Sequence, residues 1–322
     1  MGYVINNISA PQFPLKDKLK EDVLWLNSQP LNLAILRGKI VLVDFWTYSC
    51  INCQRTLPFI KKWWDKYHDQ GLVIIGVHTP EFEFEKDPEN LKKALAKYNV
   101  TWPVVQDNDY QIWESFTNHY WPAKYLIDQN GKIIYNHFGE GDYIETEIKI
   151  QSALKEAGFK ISTQIVSDFE NESGALWKTQ TPELYFGSSR GGVKTNPGDN
   201  DLSSDQIYTT GEWKQEKEFL QHTGETADLD DLITLKYRAK ELFLVMGSAN
   251  STPIKVYVTL DGVPLEKDLA GKDIKYDEEK AYIEVTMATL YNLISTKTFG
   301  DHILRLSTTS DQLQCFAFTF GS

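Results

Sequence analysis

The sequence has 322 residues and a formal net charge of −12, with 41% hydrophobic and 24% charged residues. This length predicts two domains of ordinary globular composition. The acidity, without a basic stripe, argues against nucleic acid or an anionic membrane as a partner. Three cysteines are too few for a structural disulfide framework.

The start of the chain and its hydropathy bear on where the protein works. No run of about 18 apolar residues occurs, so no membrane-spanning helix is predicted. Residues 1–7 have neither the basic start nor the apolar core of a signal peptide. The start of the sequence is therefore compatible with an export signal or membrane anchor that lies outside it, with a cytoplasmic location as the alternative.

The first informative segment is a Cys-x-x-Cys motif, Cys50 and Cys53, between a strand pattern and a helix pattern. Residues 38–46 form a short apolar, β-branched run typical of a buried strand. Residues 55–70 carry apolar side chains at roughly helical spacing. The first thiol therefore lies at a helix N-terminus, where unpaired N–H groups and the helix dipole favour the reactive thiolate. The second thiol, one turn later, can close a disulfide.

The rest of the first half alternates between strand and helix patterns. The Asn-Gly pair at 130–131 is a strong hairpin signal, and the pattern predicts a mixed sheet with helices on both faces over residues 1–160. In chain order we expect a strand at 72–78, a helix within 81–98, a short strand at 102–105, a short helix at 110–119, strands at 123–128 and 133–138, and a closing helix at 145–158.

The pattern changes after about residue 162. A stretch rich in Ser, Gly, Asn, Thr and Pro leads into short β-type runs with turns every 8–12 residues, which predict an all-β sandwich or jelly roll over residues 161–322. Cys315 lies in the last of these runs, where a buried, inert thiol is expected. The predicted strands are 232–245, 253–260, 281–285, 302–307 and 313–320.

Three residues around the motif suggest a redox site. Asp44 lies in the apolar strand, where burial would raise its pKa and let it exchange protons with the second thiol; the alternatives are a misplaced strand assignment or a solvated strand edge. Pro58 falls inside the predicted helix and should kink it. The Trp121–Pro122 bond precedes a strand, and beside a redox motif we expect it to be cis, with trans as the alternative.

These residues resemble a thioredoxin-fold oxidoreductase, and the extra material between residues 79 and 101 resembles the insertion of TlpA/ResA-type proteins. The resemblance to the DipZ family is closer and covers nearly the whole chain. The segments that carry it are 44–53, 78–82, 120–128, 138–141 and 181–185.

The DipZ resemblance implies a thioredoxin-like domain that works outside the cytoplasm, followed by a jelly roll similar to carbohydrate-binding modules. In that family a membrane domain of the cytochrome-biogenesis type is fused to these parts. The implied partners are therefore protein thiols or disulfides and a membrane electron donor, and the implied direction is reduction.

The mechanism implied is thiol–disulfide exchange, with no cofactor other than the cysteine pair. Cys50 forms a mixed disulfide with a substrate, Cys53 resolves it, and Asp44 accepts the proton. Glu81 is a second acid/base candidate, although a glutamate among Glu81, Glu83 and Glu85 could equally be a solvated surface group. The expected substrate-facing residues are Trp46, Tyr48, Trp121 and Pro122, with core packing as the alternative for the three aromatics.

Two other chemistries fit the motif less well. Thr47 and Cys50 satisfy the Thr-x-x-Cys of peroxiredoxins, but Val43 stands where those proteins have a proline. Zinc binding needs two further ligands, and the nearest histidines, His68 and His78, lack the usual spacing. We expect neither a peroxidase nor a metal site.

A third alternative makes the β half a module that binds glycan or protein. Sugars stack on exposed aromatic rings, but a jelly roll also needs aromatic residues in its core, and a similar fold does not establish binding. The candidate rings are Trp177, Tyr208, Trp213 and Tyr237.

Overall fold

A computed structural model describes residues 8–11, 23–166, 180–195, 202–224 and 228–321 of the chain. The chain divides into two compact units, Met1–Glu172 and Ser173–Ser322. The predicted domains, 1–160 and 161–322, put the boundary earlier than this division does.

A mixed seven-stranded sheet forms the centre of the first unit. The strands are β1 (Ile8–Ser9), β2 (Trp25–Leu26), β3 (Ile40–Trp46), β4 (Leu72–His78), β5 (Val104–Gln106), β6 (Ala123–Ile127) and β7 (Lys132–Phe138). Their order across the sheet is β1-β7-β6-β3-β4-β5-β2. The central strand, β3, runs parallel to β4 and antiparallel to β6.

Helices cover both faces of this sheet, as predicted. They are α1 (Ile51–Tyr67), α2 (Pro88–Tyr98), α3 (Gln111–Ser115) and α4 (Tyr143–Glu156), with 3₁₀ turns at His68–Gln70 and Glu83–Lys86. Side chains alternate along β3: Ile40 and Leu42 pack in one core cluster with α1, α2 and α4, whereas Val41 and Val43 pack in another with α3. By the same alternation Asp44 faces the α1 side.

The helix after the motif begins earlier than the apolar spacing predicts. We expected it from residue 55, but α1 begins at Ile51, with Cys50 as its N-cap. Pro58 lies inside α1, as expected, and is exposed. After the 3₁₀ turn the chain leaves at Gly71, whose φ of +100° is left-handed.

The second unit is all β. In its described part, twelve strands join in one sheet, antiparallel except for the parallel pair β9 and β10, around one apolar core cluster. The strands are β8 (Leu184–Tyr185), β9 (Val193–Thr195), β10 (Ile207–Thr210), β11 (Trp213–Gln215), β12 (Leu220–His222), β13 (Leu232–Ser248), β14 (Ile254–Leu260), β15 (Val263–Pro264), β16 (Lys275–Asp277), β17 (Lys280–Val285), β18 (Thr289–Ser307) and β19 (Leu313–Gly321).

Two long strands organise this sheet. β13 pairs with β18 along most of its length, with register shifts between Ala239 and Glu241 and between Leu242 and Phe243. The predicted strand at 302–307 is therefore only the end of β18, because the polar residues before it hide the strand pattern. The all-β class is confirmed, whereas the jelly-roll topology stays a prediction.

Candidate active site

Cys50 lies where β3 leads into α1. It caps the helix with an extended backbone (φ −79°, ψ 119°), and its Sγ accepts the Cys53 backbone N–H at 3.3 Å. This donor is available because the first N–H groups of a helix have no partner within it. The arrangement stabilises a sulfur anion, the form that attacks disulfides.

The two thiols of the motif differ in exposure. Cys50 is half-buried, whereas Cys53 is only 1% exposed, and both are free thiols in this structure. Burial raises the pKa of Cys53 well above its usual value, and the hydrogen bond and charge of Cys50 act in the same direction. An outside sulfur therefore meets Cys50 first, and Cys53 needs a base before it can react.

Asp44 is the buried acid on the α1 side of β3. It is 1% exposed, and among the described residues its Oδ1 has no hydrogen-bond partner. Burial raises its pKa to about 7, although the charge of Lys124 acts in the opposite direction. The charge of Asp44 in turn raises the pKa of Cys53. The carboxyl can thus gain or lose a proton near neutral pH, close to the thiol that must lose one.

Lys124 is a functional candidate that the sequence analysis missed. It is fully buried on β6, directly across the strands from Asp44, and its Nζ donates to the Gly139 carbonyl at 3.3 Å. Burial lowers its pKa, while the charges of Asp44 and Cys53 raise it. A lysine in an apolar strand was the available signal, but only the strand pairing puts it opposite Asp44.

The loop before β6 has the predicted backbone. The Trp121–Pro122 peptide bond is cis, so this prediction is confirmed. Trp121 is half-buried, its ring centroid is 4.3 Å from that of Trp113, and its Nε1 donates to the Thr79 carbonyl at 3.1 Å. Tyr120 beside it is 55% exposed, the most open aromatic ring near this loop.

The structure corrects the prediction that Trp46 and Tyr48 face the substrate. Each is only 1% exposed. Trp46 meets the His78 ring edge to face, and Tyr48 stacks on the same ring with centroids 5.5 Å apart. Both rings are part of the core because the motif loop folds back over the end of β4.

Of the three neighbouring glutamates, the structure buries Glu85 and leaves Glu83 exposed and Glu81 intermediate. The backbone N–H of Glu81 donates to Glu85 Oε2 at 2.6 Å. Burial raises the pKa of Glu85 to about 7. The acid/base role of Glu81, for which a solvated surface group was an equal alternative, stays a prediction, and the sequence did not single out Glu85 as a buried acid.

The histidines named for zinc lie in different surroundings. His78 is fully buried, its Nε2 is 3.3 Å from Thr47 Oγ1, and burial lowers its pKa to about 3. The His68 side chain is 39% exposed, and its Nε2 lies 3.4 Å from Asp69 Oδ2. Across the described ranges, no three His, Cys, Asp or Glu side chains group closely enough to hold a metal ion.

The aromatic residues named in the β half are mostly core residues. Tyr208 and Tyr237 are 4% and 1% exposed, and Trp213 is half-buried against His222. Trp177 lies outside the described residues. Cys315 is fully buried in β19, as predicted, and burial raises its pKa.

Comparison with known proteins identifies the family. The AhpC/TSA family model matches residues 7–136, and the model described as Thioredoxin like C-terminal domain matches residues 181–321. Thiol-disulfide oxidoreductase YkuV of Bacillus subtilis is 33% identical over 124 residues, 38% of this chain and 82% of that protein. The chain belongs to the thiol-disulfide oxidoreductase family. The predicted thioredoxin-like fold is confirmed with it.

A second relative extends through both units. Protein DipZ of Mycobacterium tuberculosis is 34% identical over 312 residues, which confirms the DipZ resemblance; the match covers 92% of this chain but 41% of that protein. A solved structure, a putative thiol:disulfide interchange protein DsbE from Chlorobium tepidum, is 24% identical and covers 47% of this chain and 99% of its own, with a TM-score of 0.41. None of the helices described here is long and apolar enough to cross a membrane.

Proposed function

We propose that the protein exchanges dithiol and disulfide with protein substrates through Cys50 and Cys53. The observation that supports this most directly is a half-buried thiol at the N-terminus of α1 paired with a buried thiol one turn later. The redox couple is the cysteine pair itself, so the exchange requires no separate cofactor and no metal.

In the reducing direction, the Cys50 thiolate attacks one sulfur of a substrate disulfide. The substrate S–S bond breaks, its other sulfur leaves as a thiolate that takes up a proton, and a mixed disulfide forms. The Cys53 thiolate then attacks Cys50 Sγ, and the remaining substrate thiolate leaves. The protein now holds a Cys50–Cys53 disulfide, and two electrons have passed to the substrate.

Asp44 is the proton acceptor for Cys53 in this scheme. Its pKa of about 7 matches the base to neutral pH, where a general base works best. The cation of Lys124 across the strands offsets the negative charge as it moves between Cys53 and Asp44. Glu81 is proposed as a second acid/base group, and Trp121 and Pro122 as residues that meet the substrate.

The proposed direction is reduction, with electrons from a membrane donor, in a compartment outside the cytoplasm. Similarity to DipZ across both units supports this direction, donor and location, since in the DipZ family such domains are fused to an electron-importing membrane domain. The chain spans 41% of the length of DipZ, so the donor would belong to a part of such a protein beyond this alignment.

The reduction potential tests the direction. The protein is equilibrated with dithiothreitol or glutathione buffers, and the fraction of Cys50–Cys53 disulfide is read by alkylation. A potential near the thioredoxin value of about −270 mV supports a reductase, and one near about −120 mV contradicts it. Absence of insulin reduction above a Cys50→Ser control would refute the exchange activity itself.

One observation favours a second candidate, a thiol peroxidase: the match to the AhpC/TSA family. The contacts of Thr47, the threonine of the Thr-x-x-Cys pattern, argue against this candidate, because its hydroxyl already donates to Glu85 at 2.5 Å and lies 3.3 Å from His78. Turnover of hydrogen peroxide by the isolated protein, above the Cys50→Ser control, would support the peroxidase.

A further inference from the structure

The Glu85 carboxylate is a buried charge site that the exchange scheme does not use. It lies in the 3₁₀ turn Glu83–Lys86, in the segment that follows β4, and its side chain is fully buried. An ionised carboxylate at such a depth is costly unless it is well hydrogen-bonded. Its hydrogen-bond partners therefore indicate which parts of the fold this carboxylate stabilises.

Both carboxylate oxygens accept several hydrogen bonds. Oε1 accepts the Thr47 hydroxyl at 2.5 Å, the Ser49 hydroxyl at 2.7 Å and the Ser49 N–H at 3.2 Å. Oε2 accepts the backbone N–H groups of Glu81 at 2.6 Å and Phe82 at 3.1 Å. One carboxylate thus joins the segment after β4 to the loop between β3 and α1.

That loop leads directly to the nucleophile. Ser49 precedes Cys50, and the Thr47 backbone forms a hydrogen bond that lowers the pKa of Cys53 against the larger effect of burial. Thr47 Oγ1 donates to Glu85, so it accepts from His78 Nε2 at 3.3 Å, and His78 is neutral because burial lowers its pKa. The loop is therefore held at the end of β4 by polar contacts as well as by packing.

We propose that Glu85 is a positioning residue for Cys50: its carboxylate fixes the Thr47–Ser49 loop so that Cys50 Sγ receives the Cys53 N–H. This inference deepens the proposed function and rests on Cys50 being the attacking thiol. Glu85 itself does not touch the reacting sulfurs. Without its hydrogen bonds the loop relaxes, the donor to Cys50 Sγ is misaligned, and the thiolate is less available.

Glu85→Gln is the first test variant. A carboxylate accepts at both oxygens, but the amide NH₂ of glutamine only donates. Because all the described partners of Glu85 donate to it, the NH₂ of the variant must face other donors on one side of the network. If the NH₂ turns toward Glu81 and Phe82 it meets two backbone N–H groups, and if it turns toward Ser49 it meets one.

Thr47 supplies a pair of variants that separates hydrogen bonding from packing. Thr47→Val keeps the shape of the fully buried side chain and loses the hydroxyl, whereas Thr47→Ser keeps the hydroxyl and loses the methyl group. Positioning by hydrogen bonds requires Thr47→Val to be the damaging change. A packing role requires Thr47→Ser to be the damaging one.

Glu147→Gln is the matched control. Glu147 is also a fully buried glutamate of the first unit, and its partners include Tyr67 Oη at 2.6 Å and the Val166 N–H at 3.0 Å. Replacing it removes a buried, hydrogen-bonded carboxylate that has no part in the exchange scheme. It therefore reports the general cost of such a change.

The experiment measures the second-order rate of Cys50 alkylation by iodoacetamide at pH 8, above the Glu85 pKa of about 7, with the adduct assigned to Cys50 by peptide mass spectrometry. We expect Glu85→Gln and Thr47→Val to slow it about tenfold, the equivalent of one charged hydrogen bond. Thr47→Ser and Glu147→Gln should stay within about twofold of the wild type.

The proposal is overturned if Glu85→Gln or Thr47→Val reacts as fast as the wild type. It is also overturned if Glu147→Gln is slowed as much, or if Thr47→Ser is slowed as much as Thr47→Val. Because alkylation needs no disulfide substrate, these results stand apart from insulin reduction. Failure of the wild type to reduce insulin would count against the proposed function alone.

Discussion

Cys53 in the first unit and Cys315 in the second are both buried thiols, but their neighbours differ. They are 1% and 0% exposed, and burial raises the pKa of each. Cys53 also responds to Cys50, to the charge of Asp44 and to a hydrogen bond from the Thr47 backbone. Cys315 belongs to the apolar core cluster of its unit.

The difference between these two thiols shows that burial without a reactive neighbour leaves a thiol inert. A buried thiol becomes reactive when a second thiol lies one helical turn away and a nearby carboxylate can accept its proton. In the first unit Asp44, Lys124 and Glu85 are buried around the motif, although burying ionisable groups is unfavourable. Groups with perturbed pKa values often cluster in this way at functional sites. Burial raises the pKa of Cys315, and within the part of the chain that the structure describes no charged neighbour contributes to this shift.

Serine substitutions should separate the three cysteines by function. Cys50→Ser should reduce insulin reduction to the uncatalysed level, because no nucleophile remains. Cys53→Ser should accumulate a mixed disulfide, since nothing resolves it. Cys315→Ser is the control and should keep the wild-type rate. A Cys315→Ser variant as inactive as Cys50→Ser would show that Cys315 is not an inert core thiol.

Asp44→Asn tests whether the proton acceptor distinguishes the first unit. We expect the resolving step to slow by about 10²-fold at pH 7, the lower end of general-base effects. The inflection near pH 7 that belongs to Asp44 should disappear. Stopped-flow decay of the mixed disulfide at several pH values measures both. An unchanged profile would mean that Asp44 is not the base.

The same buried acid should appear in the stability of the protein. Its folded pKa of about 7 lies above its ordinary value of 3.8, so the folded state holds the proton over a pH range in which the unfolded state has lost it. Stability should therefore fall as pH rises from about 4 to about 7, by up to about 4 kcal/mol from this group.

Urea unfolding of the wild type and Asp44→Asn at pH 4 and pH 8 measures this contribution. The wild type should lose more stability than the variant between the two pH values. Equal losses would show that Asp44 is not desolvated in the folded protein. Glu85 has a similar pKa of about 7 and is present in both proteins, so its contribution cancels.

Cys315 should contribute only modestly to stability. Cys315→Ala should cost on the order of 1 kcal/mol in the free energy of unfolding, because it shortens one side chain in an apolar core. The thiol should react with a maleimide only after unfolding, whereas Cys50 reacts in the native protein. Rapid native labelling of Cys315 would show that the core of the second unit opens.

Much of the fold was predictable because its signals are local. Apolar runs marked β3 and β4, helical spacing marked α1, and the polar-to-β change marked the second unit. The length of β18 was underestimated, since the polar residues 295–301 separate its two apolar parts, and both parts are joined to the sheet through pairing with β13. Local pattern says little about a strand that depends on a distant partner.

The two thiols, the acid in the strand before them and the proline after Trp121 can be identified from the local sequence, since each is read from its own neighbours. The folded chain was needed to show that Lys124 opposes Asp44, that Glu85 rather than Glu81 is buried at the motif loop, and that Trp46 and Tyr48 belong to the core. The reason is physical: chemistry is carried by residue type and short spacing. Burial and charge pairing depend on which distant strands and loops come together.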